Sequence, residues 1–319
     1  MSSLRRKKIL ITGSTGFIGS NLVRRSVKFG SDVFILTRKL SDTWRINSIL
    51  DDVTRYDVDL TDYEHLEAMI KGIQPDIIYH TAAYGGNPFQ KGFKKIIESN
   101  YIGTANMVNA CNGADFELFV NTGSSSEYGI KASTMGEEDR LEPVNDYGVS
   151  KASASLYCQF VARTERKPII TLRLFSPYGS YEESTRLIPS VILDCIKGKN
   201  PKVTSLSFVR DFVFIDDVVD AYFNAVDASE IGGEIINIGS GIQHSVGDVA
   251  NKIIELTGNE VVPETGGRPR WANEPERWQA DISKAKRLLN WEPKHDLAQG
   301  LAASVEWFKE HIDLYQELP

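Results

Sequence analysis

The stretch Lys8-Ile9-Leu10-Ile11-Thr12-Gly13-Ser14-Thr15-Gly16-Phe17-Ile18-Gly19-Ser20-Asn21-Leu22-Val23 decides the fold. Its first five residues are an apolar run of strand length, and its last four open a helix with apolar spacing. Three glycines therefore stand between a strand and a helix. In such a unit each glycine serves a different need. Gly13 permits the tight turn, Gly16 lets the backbone approach a pyrophosphate at the helix N-terminus, and Gly19 lets helix and strand pack closely. Glycines at this density also occur in ordinary βα turns, and it is the flanking strand and helix that give the spacing its meaning.

Working outward, strands and helices alternate. Residues 33–36, 53–58, 77–80, 118–121 and 169–174 read as strands two to six. Thr61-Asp62-Tyr63-Glu64 has the form of a capping box and starts a helix ending near Gly72; further helices run from about Gly92 to Cys111 and from about Asp146 to Thr164. This alternation predicts an α/β fold, a Rossmann-type doubly wound parallel sheet covered on both faces. Beyond Phe175 prolines accumulate, and the pattern loosens. The expected division is 1–175 as the nucleotide-binding domain and 176–319 as a smaller mixed α/β substrate domain. Within the latter, 207–228 is expected to pack back on the first, with Asp216 as N-cap of a helix. Leu297, Leu301, Val305 and Phe308 form a helical stripe suited to the core.

Composition bounds the function. With 36 basic and 43 acidic residues the 319-residue chain carries a net charge of −7, and its only basic run is Arg5-Arg6-Lys7-Lys8. That is no footprint for nucleic acid. No segment reaches the ~18 apolar residues of a membrane span, and the apolar stretch after the basic N-terminus is too short for a signal peptide. Cys111, Cys158 and Cys195 are far apart, with no CxxC or Cys/His spacing, so no metal site is expected. A soluble, cytoplasmic protein with reduced thiols is the expectation.

The chemistry sits in Tyr147-Gly148-Val149-Ser150-Lys151. At i and i+4 of a helix, a phenol and an ammonium converge, and a lysine beside a phenol of pKa about 10 favours the phenolate. After strand five comes Thr122-Gly123-Ser124-Ser125-Ser126-Glu127-Tyr128-Gly129, where open α/β sheets bind ligands and where a serine can donate to the same substrate oxygen. Serine, tyrosine and lysine so ordered resemble the catalytic triad of the short-chain dehydrogenase/reductase superfamily, whose nucleotide-binding turn the GxxGxxG spacing also resembles.

The finer resemblance, over nearly the whole chain, is to the extended branch, the sugar-nucleotide epimerase/dehydratase family. Asp59-Leu60 resembles its adenine-contacting DL, and His80-Thr81-Ala82-Ala83 its HxAA loop, with His80 fixing the loop. Asn100-Tyr101-Ile102-Gly103-Thr104 matches its N-x-x-G-T. Arg210-Asp211-Phe212-Val213-Phe214-Ile215-Asp216-Asp217-Val218 is close to its RDF motif, whose arginine contacts the diphosphate; Arg270 matches a second such arginine, with Arg268 competing. The resemblance implies an NAD(P) site of Gly13, Thr15, Gly16, Phe17, Ile18, Gly19, Arg38, Asp59, Leu60, Thr81, Ala82, Ala83 and Asn100, joined by Tyr147 and Lys151. It implies substrate contacts from Ser176, Arg210 and Arg270.

Three departures shape the expectation. Ser176 stands where the family usually has Asn. The catalytic hydroxyl is Ser124 counted back from Tyr128 but Ser125 counted back from Glu127. Glu127 is either a base, as in family dehydratases, or a loop residue, and the latter is favoured. Strand two ends in Thr37-Arg38-Lys39 without the acidic residue of NAD-preferring relatives, which predicts acceptance of NADP(H) and preference for it. The resemblance implies a nucleoside-diphosphate-hexose substrate and hydride transfer at carbon 4, with Tyr147 as acid/base. An epimerase comes first and a 4-ketoreductase second; a 4,6-dehydratase or a nucleotide-binding protein without turnover follows. A homodimer packed through the helices near 92–111 and 146–164 is implied as well.

Overall fold

A seven-stranded sheet is the frame of the molecule. The computed structural model describes residues 4–87, 89–228, 231–266 and 275–315. Strands β1 (Lys8–Thr12), β2 (Asp32–Thr37), β3 (Thr54–Asp57), β4 (Ile77–His80), β5 (Leu118–Ser124) and β6 (Ile169–Leu174) are joined by an edge strand, Ile235–Ile238. The order is edge strand, β6, β5, β4, β1, β2, β3, and every pairing is parallel. Strand order reverses between β1 and β4. A crevice thus opens at the carboxyl ends of these two strands, beside Thr12 and His80.

The helices are α1 (Phe17–Lys28), α2 (Tyr63–Ile73), α3 (Phe93–Ile97), α4 (Gly103–Asn112), α5 (Asp146–Glu165), α6 (Leu187–Ile196), α7 (Ile215–Asp227), α8 (Val246–Thr257), α9 (Ser283–Leu289) and α10 (Leu297–Glu310). Side-chain alternation along β1 divides the core between two faces. Ile9 and Ile11 pack in a cluster with Leu22, Val218 and Tyr222. Leu10 packs in another with Leu66, Ile70, Met107 and Val161. Both faces being covered, β4 and β6 are buried along their whole length, their polar residues His80, Thr171 and Arg173 included.

Several local expectations are corrected. The edge strand Ile235–Ile238 pairs with β6, so the sheet continues into the chain beyond residue 175. Helix α7 begins at Ile215 with no side-chain cap; Asp216 lies in its first turn and pairs with Arg25 of α1, as does Asp220. Phe223 of α7 meets Phe29 at a ring separation of 5.2 Å. Asp62 rather than Thr61 caps α2, accepting from the His65 N–H. The long helix expected near 92–111 is present and runs without interruption from α3 into α4, with a π turn, Glu98–Ile102, inside it. Among the described residues no helix is long and apolar enough to cross a membrane.

Candidate active site

The crevice is built first by the glycine turn. Gly13 has φ +65°, and a Cβ there would meet the Ala82 nitrogen at 2.6 Å, so β1 and the loop after β4 touch through bare backbone. A Cβ on Gly19 would meet the Gly13 carbonyl oxygen at 2.2 Å, which presses α1 onto the turn. Gly16 is the N-cap of α1; no side chain caps the helix, and its first turn has no acidic residue. An uncapped N-terminus with a cradle that side chains would fill suits a pyrophosphate. Arg45 closes one side by donating to the Thr15 carbonyl at 3.2 Å while pairing with Glu183. Thr15, Phe17 and Ile18 are half-buried along this turn.

At the end of β2, Arg38 is exposed, and its backbone N–H bonds the Ser41 hydroxyl. The carboxyl end of β2 carries no carboxylate, but the end of β3 beside it does. Asp57 is the register partner of Thr37; it accepts from the Thr37 hydroxyl at 2.6 Å and from Arg55 at 2.8 Å. Asp59 is exposed, bonds Thr61, and stands beside half-buried Leu60.

A buried polar chain fixes the loop after β4. Thr104 donates its hydroxyl to the Asn100 carbonyl at 2.6 Å and so accepts from His80 Nε2, leaving Nδ1 to accept from Thr12 at 2.8 Å. Burial pushes His80 down to about 3, so this neutral tautomer persists at working pH. Thr81 bonds the Thr12 carbonyl; Ala82 is half-buried, and Ala83 is exposed. Asn100, turned inward by the π turn, is fully buried. Its amide is occupied by both backbone groups of Tyr84 and by the Ser150 hydroxyl. It therefore ties the loop at Tyr84 to Ser150 of α5 and presents no exposed face.

The expected serine, tyrosine and lysine come together where β5 meets α5. Strand β5 ends at Ser124, and Ser125–Glu127 make a single 3₁₀ turn capped by Ser124 itself. Asn145 caps α5 by accepting from the Gly148 N–H at 2.8 Å. A Cβ on Gly148 would lie 2.5 Å from the Ser126 carbonyl oxygen, so this glycine inside the Tyr–Lys motif seats α5 against the serine turn. The Ser124 side chain consequently faces Tyr147, while Ser125 is buried. Burial raises the Tyr147 pKa; the nearby Ser124 hydroxyl and the field of Arg186 oppose it. Lys151 is 1% exposed, and burial lowers its pKa against the field of Glu127. A cation whose field lowers the Tyr147 pKa is Arg186, whose guanidinium donates to the Gly86 carbonyl at 2.9 Å. Gly86 in turn lies beside the Tyr147 ring.

The chain as a whole is similar to known proteins. Residues 9–239 match the model of the NAD dependent epimerase/dehydratase family. The chain belongs to this family. It is 27% identical to the UDP-glucose 4-epimerase of Lactobacillus helveticus, over 97% of this chain and 99% of that protein. It is equally 27% identical to the dTDP-glucose 4,6-dehydratase of Neisseria meningitidis, over 98% and 96%. Among solved structures, the UDP-glucuronic acid 4-epimerase of Bacillus cereus, in complex with UDP-glucuronic acid and NAD, superposes with a TM-score of 0.86 at 27% identity, covering 95% of this chain and 99% of that one.

The family's RDF motif is visible as structure. Arg210 is buried with its guanidinium over the rings of Trp278 and Phe208. Asp211 is fully buried and gathers the Ser240, Gly241 and Ala280 N–H groups, tying the turn after the edge strand to residue 280. Ser176 is half-buried, and its carbonyl accepts from Val213. Arg268 and Arg270 lie outside the described residues. Glu127, expected as a loop residue, is instead completely buried against Arg173, with Nε to Oε2 at 2.7 Å. The site residues that sequence reasoning passed over are Asp57, Arg173 and Arg186; the first needs the β2–β3 register to be seen, and the other two lie in no glycine or Tyr–Lys motif.

Proposed function

We propose that this chain is an NAD(P)-dependent nucleoside-diphosphate-sugar 4-epimerase in which Tyr147 takes and returns the proton of the sugar 4-hydroxyl. The observation that carries this is the seating of α5 on the serine turn, which brings Ser124 to the Tyr147 hydroxyl with Lys151 one turn on. Nicotinamide, when bound, supplies the acceptor and donor of the hydride at the sugar carbon. Ser124 orients the phenol, Arg186 and Lys151 lend it positive field, and Arg210, with Arg270, is assigned to the diphosphate. Dehydration at carbon 6 calls for a further acid/base beside the hydroxyl, and Glu127 is engaged with Arg173, Ser124 and Ser155. That favours an epimerase over a dehydratase.

A second reading, an NADPH-dependent 4-ketoreductase, draws on Thr37, Arg38 and Lys39 at the end of β2, where two cations suit a 2′-phosphate. Asp57 beside Thr37 weighs the other way, by accepting from a ribose hydroxyl. For the assembly we favour a homodimer. Phe93 on α3 and Val149, Leu156 and Phe160 on α5 are all exposed, an apolar set that a second copy would cover. Light scattering at micromolar concentration checks this, a monomer counting against it. The activity is tested by mass spectrometry of nucleotide carried through purification, then a panel of UDP-, GDP-, CDP- and dTDP-hexoses followed by NMR. Interconversion of 4-epimers without net cofactor consumption supports the reading; stoichiometric NADPH oxidation replaces it with the reductase.

A further inference from the structure

Beneath the serine turn lies an ion pair that the proton transfer does not itself use. Glu127 is 0% exposed, and the side chain of Arg173 on β6 is 1% exposed. Every strong hydrogen-bonding position of the carboxylate is filled. Oε1 accepts from the Ser124 backbone N–H at 2.8 Å and from the Ser155 hydroxyl at 2.9 Å, and Oε2 accepts from Arg173 Nε at 2.7 Å. Arg173 donates onward to the Tyr128 hydroxyl at 3.0 Å, which donates to Asn237 on the edge strand at 2.8 Å. One carboxylate therefore joins the end of β5, helix α5 and β6.

The attachment points matter. Ser124 is the residue whose hydroxyl meets Tyr147, and Ser155 stands one helical turn beyond Lys151 on the same face of α5. Holding both from a single carboxylate sets the distance between the serine and the helix that carries the tyrosine and lysine. Holding that distance does not require charge, because a buried ion pair gives up the hydration of both ions and an apolar pair of the same volume stabilises a fold as well or better. Negative charge near a lysine whose ammonium form burial disfavours is what the pair adds. The charged and titratable groups facing Glu127 are Arg173 and Tyr128 on one side and Lys151, Tyr147 and Cys158 of α5 on the other.

We propose that Glu127, held by Arg173, is a positioning residue for the reacting group: it clamps the Ser124 peptide to α5 and lays the negative end of a buried ion pair beside Tyr147 and Lys151. The proposal rests on Tyr147 being the proton acceptor. Tyr147→Phe with undiminished turnover would end that reading, whereas the variants below address the clamp alone.

Glu127→Gln keeps the shape and one acceptor oxygen but removes the charge. Two measurements follow: the pH profile of kcat with whichever sugar nucleotide of the panel turns over, and the tyrosinate absorbance of Tyr147, read as the difference between each protein and its Tyr147→Phe counterpart. Losing a negative charge makes deprotonation easier, so both midpoints are expected about one pH unit lower, with kcat down roughly tenfold or more at unchanged KM and cofactor affinity. Glu127→Asp, which retains the charge, is expected to restore the midpoints. A purely structural Glu127 would lower Tm while leaving both midpoints in place, and that result overturns the proposal. Should Glu127→Gln fail to fold, the double change Glu127→Val with Arg173→Met removes both buried charges at once. Wild-type kcat in this pair refutes the clamp, and a tenfold loss at preserved Tm supports it.

Discussion

Replacing Gly19 with Ala tests the nucleotide cradle through a single methyl group. The added Cβ would lie 2.2 Å from the Gly13 carbonyl oxygen, 2.7 Å from its carbon and 2.8 Å from Thr81 Oγ1. Two of these three atoms are backbone, so no side-chain rotation relieves the overlap. The turn must retreat by about 1 Å to reach ordinary contact. In a site that works by placing backbone N–H groups on a pyrophosphate, a displacement of that size costs roughly 10²-fold in affinity. Overpacking also lowers stability by about 1–3 kcal/mol, and each kcal/mol lowers Tm by roughly 2–4 °C. The assay is fluorescence titration of NADH and NADPH alongside thermal melting. Both cofactors are expected to weaken equally, since the pyrophosphate is common to them. Gly72→Ala is the control: Gly72 is exposed in α2, and nothing lies within 4 Å of its added methyl. It should bind normally and gain up to roughly 1 kcal/mol from helix propensity. Binding by Gly19→Ala within about threefold of wild type would refute the cradle.

Tyr147→Phe keeps the ring and removes the hydroxyl; turnover should fall by ~10²–10⁴-fold with cofactor affinity retained, and near-wild-type kcat would end the assignment. Arg38→Ala should weaken NADP(H) selectively in paired calorimetric titrations, whereas equal weakening of NAD(H) and NADP(H), or tighter NAD(H) binding by the wild type, would discard the 2′-phosphate role. Stability should depend on pH through two buried groups of opposite sign. His80 stays neutral down to about 3, so an unfolded chain whose histidine titrates at 6.5 binds one more proton between these values, and stability falls by about 1.4 kcal/mol per unit as pH drops through that window. Burial pushes Glu182 up to about 8 from 4.5, so its effect runs the other way and stability falls as pH rises between those values. Between 4.5 and 6.5 the two offset each other. In urea titrations His80→Asn should flatten the loss below 4.5 and Glu182→Gln the loss above 6.5; unchanged slopes in either variant would contradict the corresponding assignment.

The parallel sheet was legible because its strands, buried on both faces, are written as apolar runs that glycine turns and amphipathic helices separate. The edge strand Ile235–Ile238 has the same apolar character, but it stands far along the chain, about 60 residues after β6, and its pairing with β6 is a long-range fact. Tyr147 and Lys151 were visible through helical periodicity. Which serine ends β5 was not, since counting from Tyr128 and from Glu127 gives different answers, and the strand end falls at Ser124. Glu127 could not be read because its meaning depends on Arg173, 46 residues away on the neighbouring strand. Asp57 was hidden for a related reason: a carboxylate was sought on β2, and β3 places one beside Thr37.

The claim that most needs testing is that hydride leaves and returns to the same sugar carbon. The decisive measurement uses the sugar nucleotide that turns over, synthesised with deuterium at carbon 4, and follows the label by NMR and mass spectrometry with cofactor present only in enzyme-equivalent amounts. The account predicts a 4-epimer with deuterium still on carbon 4 and no net change in cofactor oxidation state. Deuterium on carbon 6 with loss of water, or deuterium accumulating in released cofactor, would contradict it.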